Sequence, residues 1–376
     1  MARKVQLANG QTRWEVRLRD GGRGSPEIRR RFERKEDAQR FETEALRTKQ
    51  LGELLAPLVS RQTLDQYAAD WWDRSKPQLA LTTVRNYKGS LRRYVLPKLG
   101  RVPLAKLTPP VVNRFKDELI KEGRGAATVR YAGQVLSAIC ADAVLQGQMR
   151  TNPCHAVRWP TSTRQAVRPL TPLQIEQLRD QLPTEQDALL VSLLAYAGLR
   201  PEEALALTWS DIQEKTIIID KAVTLSQLKP TKNERNRWVA LLTPLADDLK
   251  NYRKTLTPTP GPGALIFPHP YNPAEHWGDT TYRNWRERTF KTAAKNAGLT
   301  TKPYACRHSF VSLLLAAGQR PSEVAQQAGH SLTIMEDTYA HVIEDFRGIT
   351  ITDAGQAIQD ARIEAAQLRQ QAATSR

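Results

Sequence analysis

Arg200, Arg307, His330 and Tyr339 are residue types that together can break a phosphodiester. Such a bond carries a negative charge that repels a nucleophile. Two guanidinium groups can each grip its non-bridging oxygens through paired N–H donors and stabilise the charge that builds up in the transition state. A phenol oxygen can then attack phosphorus and leave a covalent link between protein and nucleic acid. Arginine supplies the positive charge, so the chemistry needs no metal and no cofactor. The four residues sit in short strings: Leu199-Arg200-Pro201-Glu202-Glu203, Cys306-Arg307-His308, Ala328-Gly329-His330, and Tyr339 nine residues after His330. Each has an ordinary reading when taken singly. Arg200 and Glu203 could be a surface helix pair, His330 a capping histidine, and Tyr339 a packing aromatic.

The elements that would carry these residues can be read from the same stretches. Gly198 can end one helix and Pro201 can open the next, which puts Arg200 at a helix junction where backbone amides assist anion binding. The region begins near Pro169, with Thr171-Pro172 as a cap and first turn. Helical patterns run through Leu189–Tyr196 and Pro201–Leu207. Thr216–Asp220 and Arg237–Leu241 read as strands joined by a basic turn that holds Lys229 and Lys232. Helices resume from Tyr282, and the chain after Ala354 is amphipathic and rich in Ala and Gln.

Residues 62–160 read as helical. Leu64, Tyr67, Ala68, Trp71 and Trp72 form one apolar stripe. Thr82 or Thr83 caps a helix containing Val84, Tyr87, Leu91, Tyr94 and Val95 that Pro97 should stop. Thr108-Pro109-Pro110 opens another helix, and Ala126–Leu145 a further one. The aromatics belong to the core rather than to a base-stacking platform. Lys88, Arg92, Arg93, Arg124 and Arg130 mark the polar faces, and Lys88, Arg92, Arg93 and Arg130 are candidate nucleic-acid contacts. Asn152-Pro153 and Trp159-Pro160-Thr161-Ser162-Thr163 read as a linker. In residues 1–50, Trp14, Val16 and Leu18 alternate with Arg13, Glu15, Arg17 and Arg19, a strand pattern. A turn-rich break follows at 20–26, then a strand with Arg29, Arg30 and Arg31. The segment is either a solvated basic hairpin or a thin sheet laid on DNA, with its arginines exposed and Trp14 behind them. Its concentrated charge favours the second reading.

The chain has 376 residues and a formal net charge of +17, a surplus that points to a polyanionic partner, nucleic acid before a membrane surface. Cys140, Cys154 and Cys306 show neither paired metal spacing nor a disulfide framework, which fits a reducing cytoplasm. The pair Cys154-His155 is too little for a metal site. No apolar run approaches the ~20 residues of a membrane span, and the first ten residues lack the apolar stretch of a signal peptide.

Taken together, these strings resemble the catalytic boxes of the tyrosine recombinases, the phage-integrase family. The resemblance implies that Arg200 and Arg307 are the paired catalytic arginines, Glu203 the acidic residue that buttresses the first, His330 the third-box histidine and Tyr339 the nucleophile. It makes Lys232, with Lys229 as the alternative, the hairpin lysine that protonates the leaving 5′ oxygen. His308 and Phe310 match the usual continuation after the second arginine. One position departs from the pattern: the family most often has His-x-x-Arg, and here Tyr304 stands first. A phenol can donate a hydrogen bond to phosphate but cannot shuttle protons at neutral pH as imidazole can. Tyr304 is therefore either a phosphate contact or packing.

The resemblance implies an α+β, mainly α fold in several parts: a small β-sheet module for arm DNA at 1–55, a helical, SAM-like core-DNA-binding domain at 60–160, and a mixed α/β catalytic domain at 168–350. Residues 351–376 would form a tail helix for protomer contacts. The expected protein is an integrase of a temperate phage or integrative element, using double-stranded core and arm attachment sites. It would act as a homotetramer, with a host bending protein or excisionase as further partners. Rivals are a chromosome-dimer (Xer-like) resolvase, a type IB topoisomerase, and a catalytically impaired DNA-binding regulator of the same fold. The basic first 50 residues weigh against the resolvase, and the intact Arg200, Arg307, His330 and Tyr339 set against the regulator.

Overall fold

The computed structural model describes residues 3–6, 11–19, 27–50, 62–161, 168–230, 236–333, 335, 338–339 and 353–374. The expected break at 20–26, the linker after Leu51, most of the 161–163 linker and Lys232 lie outside the described residues. The contacts divide the chain into two compact units, residues 1–163 and 164–376.

The first unit opens with an antiparallel sheet of β1 (Arg3–Gln6), β2 (Thr12–Arg19) and β3 (Glu27–Phe32), ordered β1-β2-β3. The alternation in β2 gives the sheet two unlike faces. Val16, paired with Arg30, lies on the side covered by α1 (Lys35–Gln50), whose Ala38 and Ala45 are buried with it. The other face carries Glu15 opposite Arg3 and Arg31.

The rest of this unit is helical: α2 (Leu64–Ser75), α3 (Leu81–Ser90), α4 (Leu96–Leu99), α5 (Pro109–Lys121) and α6 (Ala126–Leu145). The predicted stripe is its core, where Leu64, Tyr67, Ala68 and Trp71 pack with Val112, Phe115, Leu136 and Ile139. Trp71 stacks on Tyr87 at 6.0 Å, so these aromatics do serve packing. Two boundaries differ from expectation. The third helix starts at Leu81 with Ala80 as its N-cap, one residue before the threonines. Pro97 does not stop it, because a π turn over Leu91–Val95 carries α3 into α4. There Leu96 N–H bonds to Leu91 O, five residues back, and the widened turn accommodates the proline ring.

The second unit contains α7 (Pro172–Asp180), α8 (Glu185–Tyr196), α9 (Pro201–Ala204), β4 (Thr216–Ile219), β5 (Lys221–Thr224), β6 (Gln227–Pro230), β7 (Arg237–Ala240) and α10 (Thr243–Thr255). It continues with β8 (Pro268–His269), β9 (Asn272–His276), α11 (Asp279–Asn284), a π turn over Trp285–Phe290, α12 (Lys291–Asn296), α13 (Pro303–Ala316), α14 (Pro321–Ala328) and α15 (Ala354–Thr374). α8 is apolar nearly all round and buried, the central helix of the unit. The two predicted strands are β4 and β7, and they pair antiparallel. The simple turn expected between them is instead interrupted by the β5–β6 hairpin, which pairs separately. α15 folds back on its own unit and buries Ala354, Ile358, Ala361 and Ala365. Its Arg362 reaches Asp248 at 2.7 Å, the Pro244 carbonyl at 3.1 Å and Glu176 at 3.4 Å. Among the described residues no helix is long and apolar enough to cross a membrane.

Candidate active site

Gly198 ends α8 with φ +60°, a conformation natural to glycine. A Cβ there would collide with the Phe310 ring of α13. The helix junction is thereby pressed against the helix that carries Arg307. Arg200 follows as the N-cap of α9, with Pro201 in the first turn as predicted. Glu203, three residues on, accepts the Arg200 backbone N–H at 2.7 Å, and it also accepts Arg200 Nη1 at 2.9 Å.

Glu203 is buried and has a second partner that sequence reasoning missed. Arg237 of β7 donates Nη1 to Oε1 at 2.8 Å and Nη2 to Oε2 at 2.6 Å, and Nε to the Gln327 carbonyl at 2.9 Å. Burial alone would raise the Glu203 pKa. The hydrogen bonds and charges of Arg237 and Arg200 outweigh it and bring it down to about 2. Arg200 is held above the usual guanidinium value, because Glu203 overcomes the effect of burial. The only sequence signal for Arg237 was a basic residue opening a strand.

Arg307 stands on α13 and is 1% exposed. Its terminal nitrogens donate to the carbonyls of Gly198 and Ala328, at the C-terminal ends of α8 and α14, and its Nε has no partner among the described residues. Arg200 Nη2 donates to the next carbonyl, that of Gly329, at 3.1 Å. Burial, then the nearby Arg200 charge, pulls the Arg307 pKa down.

Gly329, with φ +62°, turns the chain out of α14 and delivers His330, whose N–H bonds to Ala325 O at 2.9 Å. Its imidazole is held neutral: burial first, then Arg307 and Arg200, lower its pKa to about 3. The ring stacks on Tyr339 with centroids 6.4 Å apart and planes at 23°. Tyr339 is fully buried, and its hydroxyl is hydrogen-bonded to His308 Nδ1. Burial keeps the phenol pKa well above its ordinary value, against the pull of Arg307. Tyr304 is 44% exposed and touches His308 edge-on at 5.3 Å, so it is not a core residue. Lys229 lies in β6 opposite Ala222, away from the Leu225–Ser226 turn.

The proposed DNA contacts divide into distinct groups. Lys88, Arg92, Arg93 and Arg130 are exposed on α3, the π turn and α6. On the helix-free face of the sheet, the carboxylate of Glu15 gathers Arg17 at 2.6 Å, Arg31 at 2.9 Å, Arg3 at 3.4 Å and Arg29 at 4.0 Å. Arg31 first, with Arg17 and Arg29, lowers the Glu15 pKa to about 2 despite desolvation. Arg13 pairs with Glu33. Arg30 departs from the expected single arginine face. The strand alternation turns it toward α1, where it lies 5.1 Å over the Phe41 ring. The Arg19 side chain is outside the described residues.

The sequence profile described as "Phage integrase family" matches residues 168–345, and that described as "Phage integrase, N-terminal SAM-like domain" matches 63–120. Prophage integrase IntR of Escherichia coli K12 is 24% identical over 333 residues, 77% of this chain and 79% of that protein. The ICEBs1 integrase of Bacillus subtilis is 24% identical, over 69% of this chain and 73% of its own. Tyrosine recombinase XerC of Agrobacterium fabrum is 27% identical, over 70% and 85%. Among solved structures, the Tn1549 transposon integrase in complex with transposon right end DNA superposes with a TM-score of 0.64 at 20% identity, covering 76% of this chain and 97% of that one. A lambda integrase tetramer bound to a Holliday junction gives 0.57 at 19%, covering 92% and 96%.

Proposed function

Because the chain belongs to the phage integrase family and is a tyrosine site-specific recombinase that cuts and rejoins DNA, we propose that Tyr339 is its nucleophile and Arg200, Arg307 and His330 its phosphate-binding set. Tyr339 Oη attacks the scissile phosphorus while the bond to the 5′ oxygen breaks. The products are a 3′-phosphotyrosine and a free 5′ hydroxyl. The two arginines hold the non-bridging oxygens as charge accumulates, and His330 assists beside them. Lys232 protonates the leaving 5′ oxygen, with Lys229 as its alternative. The ester keeps the energy of the broken bond, so rejoining needs neither ATP nor metal.

One observation carries this reading. Four groups from separate segments are linked: Arg200 and Arg307 donate to the carbonyls of Gly198, Ala328 and Gly329, and His330, which follows Gly329, stacks on Tyr339. The substrate is double-stranded DNA. Residues 60–160 would grip the core site through Lys88, Arg92, Arg93 and Arg130, and the 1–55 sheet would contact distal arm sites. A homotetramer on two sites performs the exchange in the bacterial cytoplasm, integrating a phage or mobile element, with a host bending protein or excisionase setting direction. The discriminating experiment uses a nicked suicide substrate that traps the covalent complex. Wild-type protein should form it. Tyr339→Phe should bind DNA and form none, and a surviving adduct would assign the nucleophile elsewhere.

A further inference from the structure

Tyr339 must lose a proton to attack, and it is fully buried, so bulk water is not there to take it. The family position that usually carries an imidazole is Tyr304 in this chain. One turn further along α13 stands His308, in ring contact with both tyrosines, at 5.3 Å from Tyr304 and 5.7 Å from Tyr339.

We propose that His308 is the catalytic proton acceptor for Tyr339, its Nδ1 receiving the hydroxyl proton as the phenol attacks. This rests on the assignment of Tyr339 as nucleophile. The hydrogen bond between the two groups is already formed. His330, the other imidazole nearby, is placed differently. It lies nearly parallel to the Tyr339 ring, presenting its face rather than an in-plane lone pair, and its Nδ1 has no hydrogen-bond partner among the described residues. Burial, then the charge of neighbouring Arg307, lowers the His308 pKa to about 4, so the ring is neutral at physiological pH and can present a lone pair. Among the described residues the titratable groups around it are Arg307 and Tyr304 on its own helix, His330 beyond α14, and Tyr339 itself.

The step balances. The Oη–P bond forms and the P–O5′ bond breaks. The phenolic proton moves to His308 Nδ1, giving an imidazolium, while the 5′ oxygen takes its proton from the general acid. In rejoining, the 5′ hydroxyl attacks phosphorus, and the departing phenolate recovers its proton from His308.

The test is single-turnover formation of the covalent complex by the full chain, in wild type, His308→Asn and His308→Ala. Asn can keep a hydrogen bond to Oη but cannot accept the proton. Both variants should bind duplex DNA as wild type does and form the covalent complex slower by on the order of 10²-fold or more at neutral pH. The deficit should shrink as pH rises toward ionisation of the phenol. It should persist on a substrate with a 5′-bridging phosphorothioate, whose sulfur leaves without a proton. While the chain stays folded, wild-type cleavage should decline as pH falls toward 4. Near-normal rates in His308→Asn would overturn the proposal. So would a deficit independent of pH, a deficit abolished by the phosphorothioate, or, should the variants fail to fold, a wild-type rate undiminished below that pH. An adduct in Tyr339→Phe would instead remove the nucleophile assignment. An inactive Tyr339→Phe alongside a normal His308→Asn removes the role of His308 alone.

Discussion

Arg237 grips both carboxylate oxygens of Glu203, at 2.8 and 2.6 Å, while the same carboxylate holds Arg200 by its backbone N–H and its guanidinium. Arg200 is therefore positioned at second hand, through an arginine on a strand. Arg237→Leu would leave Glu203 and Gln327 short of donors in a buried setting. The expected cost is about 3 kcal/mol of stability, read by urea denaturation. Covalent-complex formation should fall with it, because Arg200 loses its anchor. Unchanged stability would mean that the pair is incidental.

Acid should weaken the second unit in two stages. His308 and His330 are kept neutral, with pKa values near 4 and 3. A histidine whose folded pKa lies below its unfolded value of ~6.5 favours folding above that pH, and the advantage is lost as pH falls toward the folded value. Glu203, depressed to about 2 from 4.5, adds stability that is complete above the unfolded pKa and is lost between about 4.5 and 2. Denaturation midpoints measured across this range should decline throughout. His330→Asn should flatten the upper part and Glu203→Gln the lower part. An unaltered slope in either variant would contradict the corresponding shift.

Arg200→Lys keeps a positive charge but not the paired N–H geometry. Cleavage should drop on the order of 10²-fold or more while DNA binding changes little. Activity in EDTA should equal activity without it. A strict divalent-metal requirement would contradict the arginine-based mechanism.

The sheet module should bind DNA separately from the cleavage apparatus. A fragment beginning near Ser60 is expected to cleave core sites yet fail on arm sequences. The isolated 1–55 segment should shift arm DNA in a gel at low salt and release it steeply as salt rises, with a log–log slope of roughly −0.9 for each phosphate contacted. Absence of binding at low salt would make the segment a protein-contact or solubilising module.

The sequence was most legible where backbone chemistry leaves few choices. Gly198 and Pro201 bracket a helix junction through positive φ and fixed φ respectively, and both landed as read. Ala126–Leu145 is long enough for its pattern to dominate. The β5–β6 hairpin was missed because its turn uses Leu225 and Ser226 at φ 51° and 60°, where a glycine or asparagine would have marked it. The β8–β9 pair is too short to show periodicity. Pro97 misled because the π turn is a cooperative backbone adjustment without a local code. Arg237 and the Glu15 cluster were illegible for another reason. An ion pair between residues 34 positions apart, or between strands, depends on the tertiary approach that makes it.

The contact of Phe310 with Gly198 gives the site a gauge block. An aromatic ring resting against a residue with no side chain fixes how far apart the two arginine-bearing segments stand, and neither segment can drift without the other. The separation of Arg200 and Arg307 is thus set within the apolar interior. Gly198→Ala, which adds one uncharged methyl group against the Phe310 ring, would change the spacing of both guanidiniums at once.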